Sequence, residues 1–166
     1  MKATGPDLER LGQIRLRPAG DSDLEFLYRV YAGTREEELA LLPWTGGQRE
    51  DFLRVQFRAQ HDHYHQYYPG TSFDVIERDG TAIGRLYVDR REKEICVVDI
   101  ALLPEARGAG IGGALMQTIL DEARAAGKPV RIHVECNNPA MRLYDRLGFR
   151  KVEDRGLFWL MEWRAK

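Results

Sequence analysis

The 166-residue chain has only two cysteines, Cys96 and Cys136, too few for a disulfide framework. It has no apolar run near the length of a bilayer span. Its first residues, Met1-Lys2-Ala3-Thr4-Gly5-Pro6-Asp7, lack the apolar core of a signal peptide. Net charge is nearly absent too: −1, from 25 basic and 26 acidic residues, so no global field draws the chain to nucleic acid or to an anionic membrane. There is no internal repeat and no low-complexity stretch. These absences argue against a secreted disulfide scaffold, a membrane span, a basic nucleic-acid binder and a repeat array. The expectation is a cytoplasmic protein with reduced thiols and with neither nucleic acid nor membrane as a partner. What is present, 43% hydrophobic and 31% charged residues, suits one globular domain with a sizeable core. Residues 1–12 read as a polar extension and 13–166 as the domain.

Ile14-Arg15-Leu16-Arg17 alternates as a short strand does and meets Pro18. Asp21-Ser22-Asp23-Leu24 supplies N-cap chemistry for a helix whose apolar stripe is Leu24, Leu27, Tyr28 and Tyr31. Residues 36–44 read as irregular or briefly helical. A second helix is expected from Gln48 to Tyr67, with Phe52, Val55, Gln56 and Ala59 on one face, before the turn signal Tyr68-Pro69-Gly70. Two strands, 72–76 and 82–88, flank the hairpin signal Asp79-Gly80. A third strand follows from Ile95 to Leu103. A helix over 114–126 stops at Gly127-Lys128-Pro129. Beyond it come a strand at 130–134 and a helix with Asn138 as N-cap and Pro139 at its first position. A final hairpin spans 149–152 and 157–163. The order βααβββαβαββ predicts a mixed α/β, α+β-type fold with helices on both faces of one sheet.

Between the third strand and the helix after it lies Arg107-Gly108-Ala109-Gly110-Ile111-Gly112-Gly113. Small residues let backbone N–H groups turn toward a ligand, and the unpaired N–H groups of the following helical turn favour phosphate oxygens. Gly108, Gly110 and Gly113 match the dinucleotide fingerprint G-x-G-x-x-G. The fingerprint needs the strand to run straight into the first glycine, yet Pro104 to Arg107 intervene, and Asp121 and Glu122 fall inside the helix. The other reading is R-x-x-G-x-G, carried by Arg107, Gly110 and Gly112. A glycine-rich turn with no ligand is the third.

The R-x-x-G-x-G stretch resembles the acyl-CoA pyrophosphate loop of the GNAT superfamily of N-acetyltransferases. The segment from Asn137 to Phe149, with its asparagines, Ala140, Leu143-Tyr144 and Gly148-Phe149, resembles that family's C-terminal motif. The element order agrees, and the resemblance covers about residues 14–163. It implies a single mixed, mostly antiparallel sheet. It implies acetyl-CoA as co-substrate and transfer of the acetyl group to a primary amine by direct attack in a ternary complex. The family's cofactor contacts fall on Arg107, Gly108, Ala109, Gly110, Ile111 and Gly112, on the backbone of Ala101, Leu102 and Leu103, and on Asn137 or Asn138. Tyr144 would face the CoA sulfur as general acid, since a departing thiolate needs a proton or a hydrogen bond. The acceptor implied is a small-molecule or peptide amine; a homodimer is left open. A non-enzymatic acyl-CoA sensor of the same fold is the alternative function.

The residues leave other roles open. Tyr144 also reads as a core aromatic on a helix face. For a general base the candidates are Asp99, which interrupts an apolar run, Glu135, and Glu36, Glu37 and Glu38. The segment 33–70, with Trp44 and several tyrosines, reads as a lid over the acceptor. His61 and His65 share a helix face, but spacing supplies no third ligand, so no metal is expected. Cys136 near a thioester suggests a nucleophile, but His133 belongs to the opposite strand face.

Overall fold

The computed structural model describes residues 11–166; the first ten residues of the expected polar extension lie outside them. The element order is the one the patterning predicts: β1 (Ile14–Pro18), α1 (Leu24–Leu39), α2 (Gln48–Tyr67), β2 (Thr71–Arg78), β3 (Thr81–Arg90), β4 (Ile95–Leu102), α3 (Ile111–Ala126), β5 (Val130–Glu135), α4 (Met141–Leu147), β6 (Arg150–Asp154) and β7 (Phe158–Trp163). One seven-stranded sheet runs β1-β2-β3-β4-β5-β7-β6. Every neighbouring pair is antiparallel except β4–β5. The mixed, mostly antiparallel sheet with helices on both faces is therefore as expected. No helix among the described residues is long and apolar enough to cross a membrane.

Two cores flank the sheet. Against one face, Ile111, Leu115, Met116, Ile119, Leu120 and Ala123 of α3 bury with Leu86, Val97, Ile132 and Tyr144. Their spacing of three and four residues is one helical face. On the other side, Leu27, Tyr28 and Tyr31 of α1 pack with Leu53 and Phe57 of α2 and with Val75.

Three local expectations narrow or change. First, of the two readings of 36–44, irregular or briefly helical, the helical one holds as far as Leu39, as the end of α1, where the Trp44 indole N–H donates to the Leu39 carbonyl at 2.7 Å and ties up the helix end. Second, α2 buries a different face from the one its sequence suggests. Phe52 and Val55 are 43% and 65% exposed, while Leu53 and Phe57 are buried, with Gln60, His61 and Tyr64 half-buried behind them. The true stripe contains Gln60, His61 and Tyr64, which an apolar count rejects; the polar ends of Gln60 and Tyr64 find partners inside, and the His61 ring packs on Phe57. Third, α4 begins at Met141 rather than Pro139. Asn138 Oδ1 accepts from the Ala140 N–H at 2.8 Å, and its carbonyl accepts from the Met141 N–H at 3.0 Å, so Asn138 and Pro139 form a turn ahead of the helix.

Gly84 shows why β3 and β4 can pair as they do. A Cβ there would lie 2.4 Å from the Ala101 carbonyl oxygen and 2.8 Å from Leu102 Cδ2. Gly84 faces Leu102, and only a residue without a side chain lets the strands close at that point.

Candidate functional site

Beside its parallel pair the sheet opens. β4 and β5 pair only through Ile95↔Val130, Cys96↔Arg131 and Val97↔Ile132. β4 then runs on to Leu102 and β5 to Glu135 without meeting. The register between β3 and β4 slips there: Val88 faces Val97 and Tyr87 faces Asp99, so Val98 is an extra residue. Such a bulge bends the strand that carries it. The bend leaves a wedge-shaped gap with one backbone edge of β4 unpaired. The Leu103 N–H donates to the Ile83 carbonyl at 2.8 Å, so by alternation Ala101 also faces β3 and the amides of Ile100 and Leu102 face the gap. Of the three residues whose backbone the sequence nominates, Ala101 and Leu103 turn their amides to β3 and Leu102 turns to the open edge.

At the end of β4 the chain makes a short 3₁₀ turn, Pro104–Ala106, then the glycine loop, then α3. The four glycines have different causes. Gly108 and Gly110 have φ of 78° and 89°, conformations that side chains disfavour. Gly113 lies against α4, where a Cβ would meet Leu143 Cδ1 at 3.3 Å. Gly112 is helical, and a Cβ on it would meet nothing within 4 Å. Neither backbone nor packing explains Gly112. It leaves open space in front of the first turn of α3, whose N-cap Gly110 provides no side-chain cap. The N–H groups of Ile111, Gly112 and Gly113 precede the first intrahelical bond, from Ala114 N–H to the Gly110 carbonyl. A hollow of about 500 Å³ lies alongside, lined by Leu11, Ala109, Gly110, Gly113, Ala114, Gln117 and Leu147.

Arg107 points elsewhere than a phosphate reading alone predicts. Its Nε donates to the Leu102 carbonyl and its Nη2 to the Gly33 carbonyl of α1, both at 3.1 Å.

Tyr144 of α4 is buried, with its ring edge-on to Phe149 at 5.8 Å. Among the described residues Thr71 Oγ1 is the one fully buried side-chain polar atom with no partner. The Tyr144 hydroxyl also makes no hydrogen bond to the protein, so its oxygen keeps access to solvent. Burial, and then the charge of Asp99, push this phenol up to about 12, so it is a neutral donor at ordinary pH. Of the two asparagines, Asn138 is spent on its turn. Asn137 is exposed, with no side-chain hydrogen bond among the described residues.

Asp99 is the centre of a polar cluster under α2. Arg85, 3% exposed, donates Nη2 to Asp99 Oδ2 at 2.8 Å and Nε to Oδ1 at 3.3 Å; a further Nη2 bond reaches Gln60 Oε1 at 2.9 Å. The Tyr64 hydroxyl donates to Asp99 Oδ2 at 3.1 Å. Burial works against the charge on Arg85, but the Asp99 carboxylate more than compensates and holds the guanidinium firmly protonated. Burial, followed by the Asp99 charge, raises Tyr64 far above the ordinary phenol range, so it stays a donor.

The remaining candidates make no hydrogen bond to the Asp99 cluster among the described residues. Glu135 is within 3.7 Å of Arg35, which also holds Glu38 at 3.0 Å; Glu36, Glu37 and Glu38 are all exposed. The His61 and His65 rings lie 4.4 Å apart, and His65 stacks on Phe73. No group of three His, Cys, Asp or Glu among the described residues is placed to hold a metal ion. Cys136, in the turn after β5, donates its thiol to the Gly156 carbonyl, and His133 is engaged with Arg155. Sequence reasoning passed over Arg85 and Gln60, and took Tyr64 only as one of the lid's aromatics, with no link to Asp99. The one signal was Arg85 itself, a charge interrupting the apolar run of β3 as Asp99 interrupts that of β4.

Comparison with known proteins agrees with this architecture. Structures of the PaiA N-acetyltransferase of Thermoplasma acidophilum in complex with coenzyme A (20% identity, TM-score 0.68, 92% of this chain and 99% of that one) and of Arabidopsis thaliana Naa50 with a bisubstrate analogue (16%, TM-score 0.60, 92% and 99%) share the fold. In sequence, a mycothiol acetyltransferase of Brachybacterium faecium is 38% identical over 84 residues, 45% of this chain and 25% of that protein. An N-alpha-acetyltransferase of Sulfurisphaera tokodaii is 32% identical over 98 residues, 49% of this chain and 58% of that protein. The chain thus spans a quarter to somewhat over half of these relatives' lengths. The family model described as acetyltransferase (GNAT) matches residues 31–149, which include the open edge of β4, the glycine loop and Tyr144, and the chain belongs to that family.

Proposed function

We propose that this protein is an N-acetyltransferase that takes the acetyl group from acetyl-CoA and passes it to a primary amine. The observation that carries the reading is Gly112, a helical glycine facing empty space at the uncapped N-terminus of α3. A pyrophosphate fits there, against the N–H groups of Ile111, Gly112 and Gly113 and the positive end of the helix dipole. The amides of Ile100 and Leu102 at the open edge of β4 suit a pantetheine arm laid down as an added strand. Asn137 has a free side chain for the same arm. Among the fold's relatives, the PaiA enzyme was solved with coenzyme A bound.

Acetyl-CoA supplies an activated thioester. The amine attacks its carbonyl carbon, the C–S bond breaks, and the departing sulfur takes a proton or a hydrogen bond from Tyr144. That hydroxyl is neutral and has no competing partner among the described residues. An N–H at the β4 edge is aimed to stabilise the developing oxyanion. Asp99 contributes position. Both its oxygens already accept hydrogen bonds and Arg85 balances its charge, so it holds the Arg85–Tyr64 cluster in place, while the proton lost by the amine leaves through water at the open mouth of the gap.

Gly112→Asp tests the cradle. An acid in the first turn favours the helix dipole, so the variant should melt no lower than wild type. Its carboxylate occupies the phosphate's space, so the rise in Tm that acetyl-CoA gives to a protein it binds should vanish. An undiminished shift in the folded variant would remove the cradle from the reading. Release of CoA on adding a panel of amines then separates an enzyme from a protein that only binds the cofactor.

A further inference from the structure

One turn of α1, from Gly33 to Arg35, is fastened to both walls of the gap. On the β4 side Arg107 reaches it, with Nη2 on the Gly33 carbonyl while Nε holds the Leu102 carbonyl. On the β5 side Arg35 lies 3.7 Å from Glu135. The helix also presses directly on the turn that leads into the glycine loop. A Cβ on Gly33 would meet Pro104 Cδ at 3.1 Å, Pro104 Cγ at 3.4 Å and Arg107 Nη2 at 3.6 Å. Glycine inside a helix weakens it; here it permits the contact.

We propose that Arg107 is a positioning residue, a latch that joins the end of β4 and the glycine loop to α1. The ligand side of this inference rests on the acyl-CoA reading; the latch rests on geometry alone. The Leu102 carbonyl faces the open edge of β4, so a pantetheine arm pairing there meets the group that Arg107 already holds. The backbone of Arg107 opens the glycine loop. A ligand on either element therefore acts on the same guanidinium, and through it on Gly33 and the position of α1. The hydrogens on Nη1 have no partner among the described residues and are left for the ligand. Only a guanidinium can do this. Its planar fork reaches two carbonyls at once, whereas a lysine ammonium supplies a comparable charge without the fork.

Arg107→Lys, Arg107→Met and Gly33→Ala, each in the full chain, separate latch from phosphate ligand by amide hydrogen exchange with and without coenzyme A. Without ligand, the amides of residues 31–39 in Arg107→Lys should exchange about tenfold faster, while those of α3 and β5 keep wild-type rates. Coenzyme A should still raise the Tm of Arg107→Lys. It should slow exchange over residues 31–39 in wild type but not in that variant. Gly33→Ala keeps the guanidinium and pushes the helix off Pro104; it should show the same local signature, and it carries the test should an Arg107 variant fail to fold. Wild-type exchange over residues 31–39 in both Arg107 variants, or a rise spread evenly over every element, would overturn the latch. If coenzyme A fails to shift wild type, the acyl-CoA reading falls, and the ligand-free exchange still decides the latch.

Discussion

The two flanks of the gap are built by different physics. On the flank proposed for the cofactor the candidate groups are backbone: the amides at the edge of β4 and at the start of α3, exposed by a bulge and by residues without side chains. On the flank proposed for the acceptor they are side chains: Arg85, Asp99, Gln60 and Tyr64 hold one another under α2. The first arrangement costs little to assemble, because main-chain groups are present in any sequence and only their exposure must be arranged. The second buries charge, and a buried ion pair holds only while both members are present. The cofactor flank should therefore tolerate loss of a side chain with little change in stability. The acceptor flank should not.

The largest expected effect lies on the acceptor flank. Arg85→Met leaves Asp99 a poorly compensated carboxylate and should cost about 3–5 kcal/mol in denaturant unfolding. The double variant Arg85→Met with Asp99→Leu should recover most of that loss, because no charge is then stranded. If the double variant is as unstable as the single one, packing rather than charge pairing holds this flank, and the contrast with the cofactor flank disappears.

Tyr144→Phe sharpens the contrast from the other side. The hydroxyl has no partner among the described residues, so unfolding at neutral pH should stay within about 0.5 kcal/mol of wild type. Turnover, followed as CoA release with an amine acceptor, should fall about 100-fold if the hydroxyl meets the departing sulfur. The phenol is raised in the folded state from 10.0 to about 12. The folded chain therefore holds the proton more tightly than the unfolded one between those values. The stability this represents is complete below about pH 10 and is lost as pH rises toward 12. The Phe variant should lack that part of the alkaline loss.

A smaller effect is expected where the cofactor flank does depend on packing. Gly84→Ala drives a methyl group into the Ala101 carbonyl and should cost about 1–3 kcal/mol. It should also weaken acetyl-CoA binding, read by thermal shift, because parting β3 from β4 displaces the unpaired edge. Full stability with full binding would show that the strands have slack at that point.

The order of elements, the hairpin at Asp79-Gly80, the glycine loop and the α4 motif could all be read along the chain because each is local. Asp79 and Gly80 both take positive φ in that turn. Periodicity, turn residues and glycine spacing act over a few positions, and a linear pattern records them. α2 shows where this stops. Its apolar residues suggest the face of Phe52 and Val55, but the inward face carries Gln60, His61 and Tyr64 because Arg85 and Asp99 wait beneath it.

Locally encoded signals therefore determined the fold class, the family and the place of the glycine loop. The tertiary structure alone decided which asparagine is free, which amides face the gap, and that Arg107 reaches α1 and Asp99 reaches Arg85. The last two join residues 74 and 14 positions apart in the chain. Their meeting depends on a bulge that shifts the β3–β4 register by one residue and on a glycine that admits a helix to a loop. A one-residue slip turns every later side chain to the other face of a sheet, and composition and spacing do not record where that slip occurs.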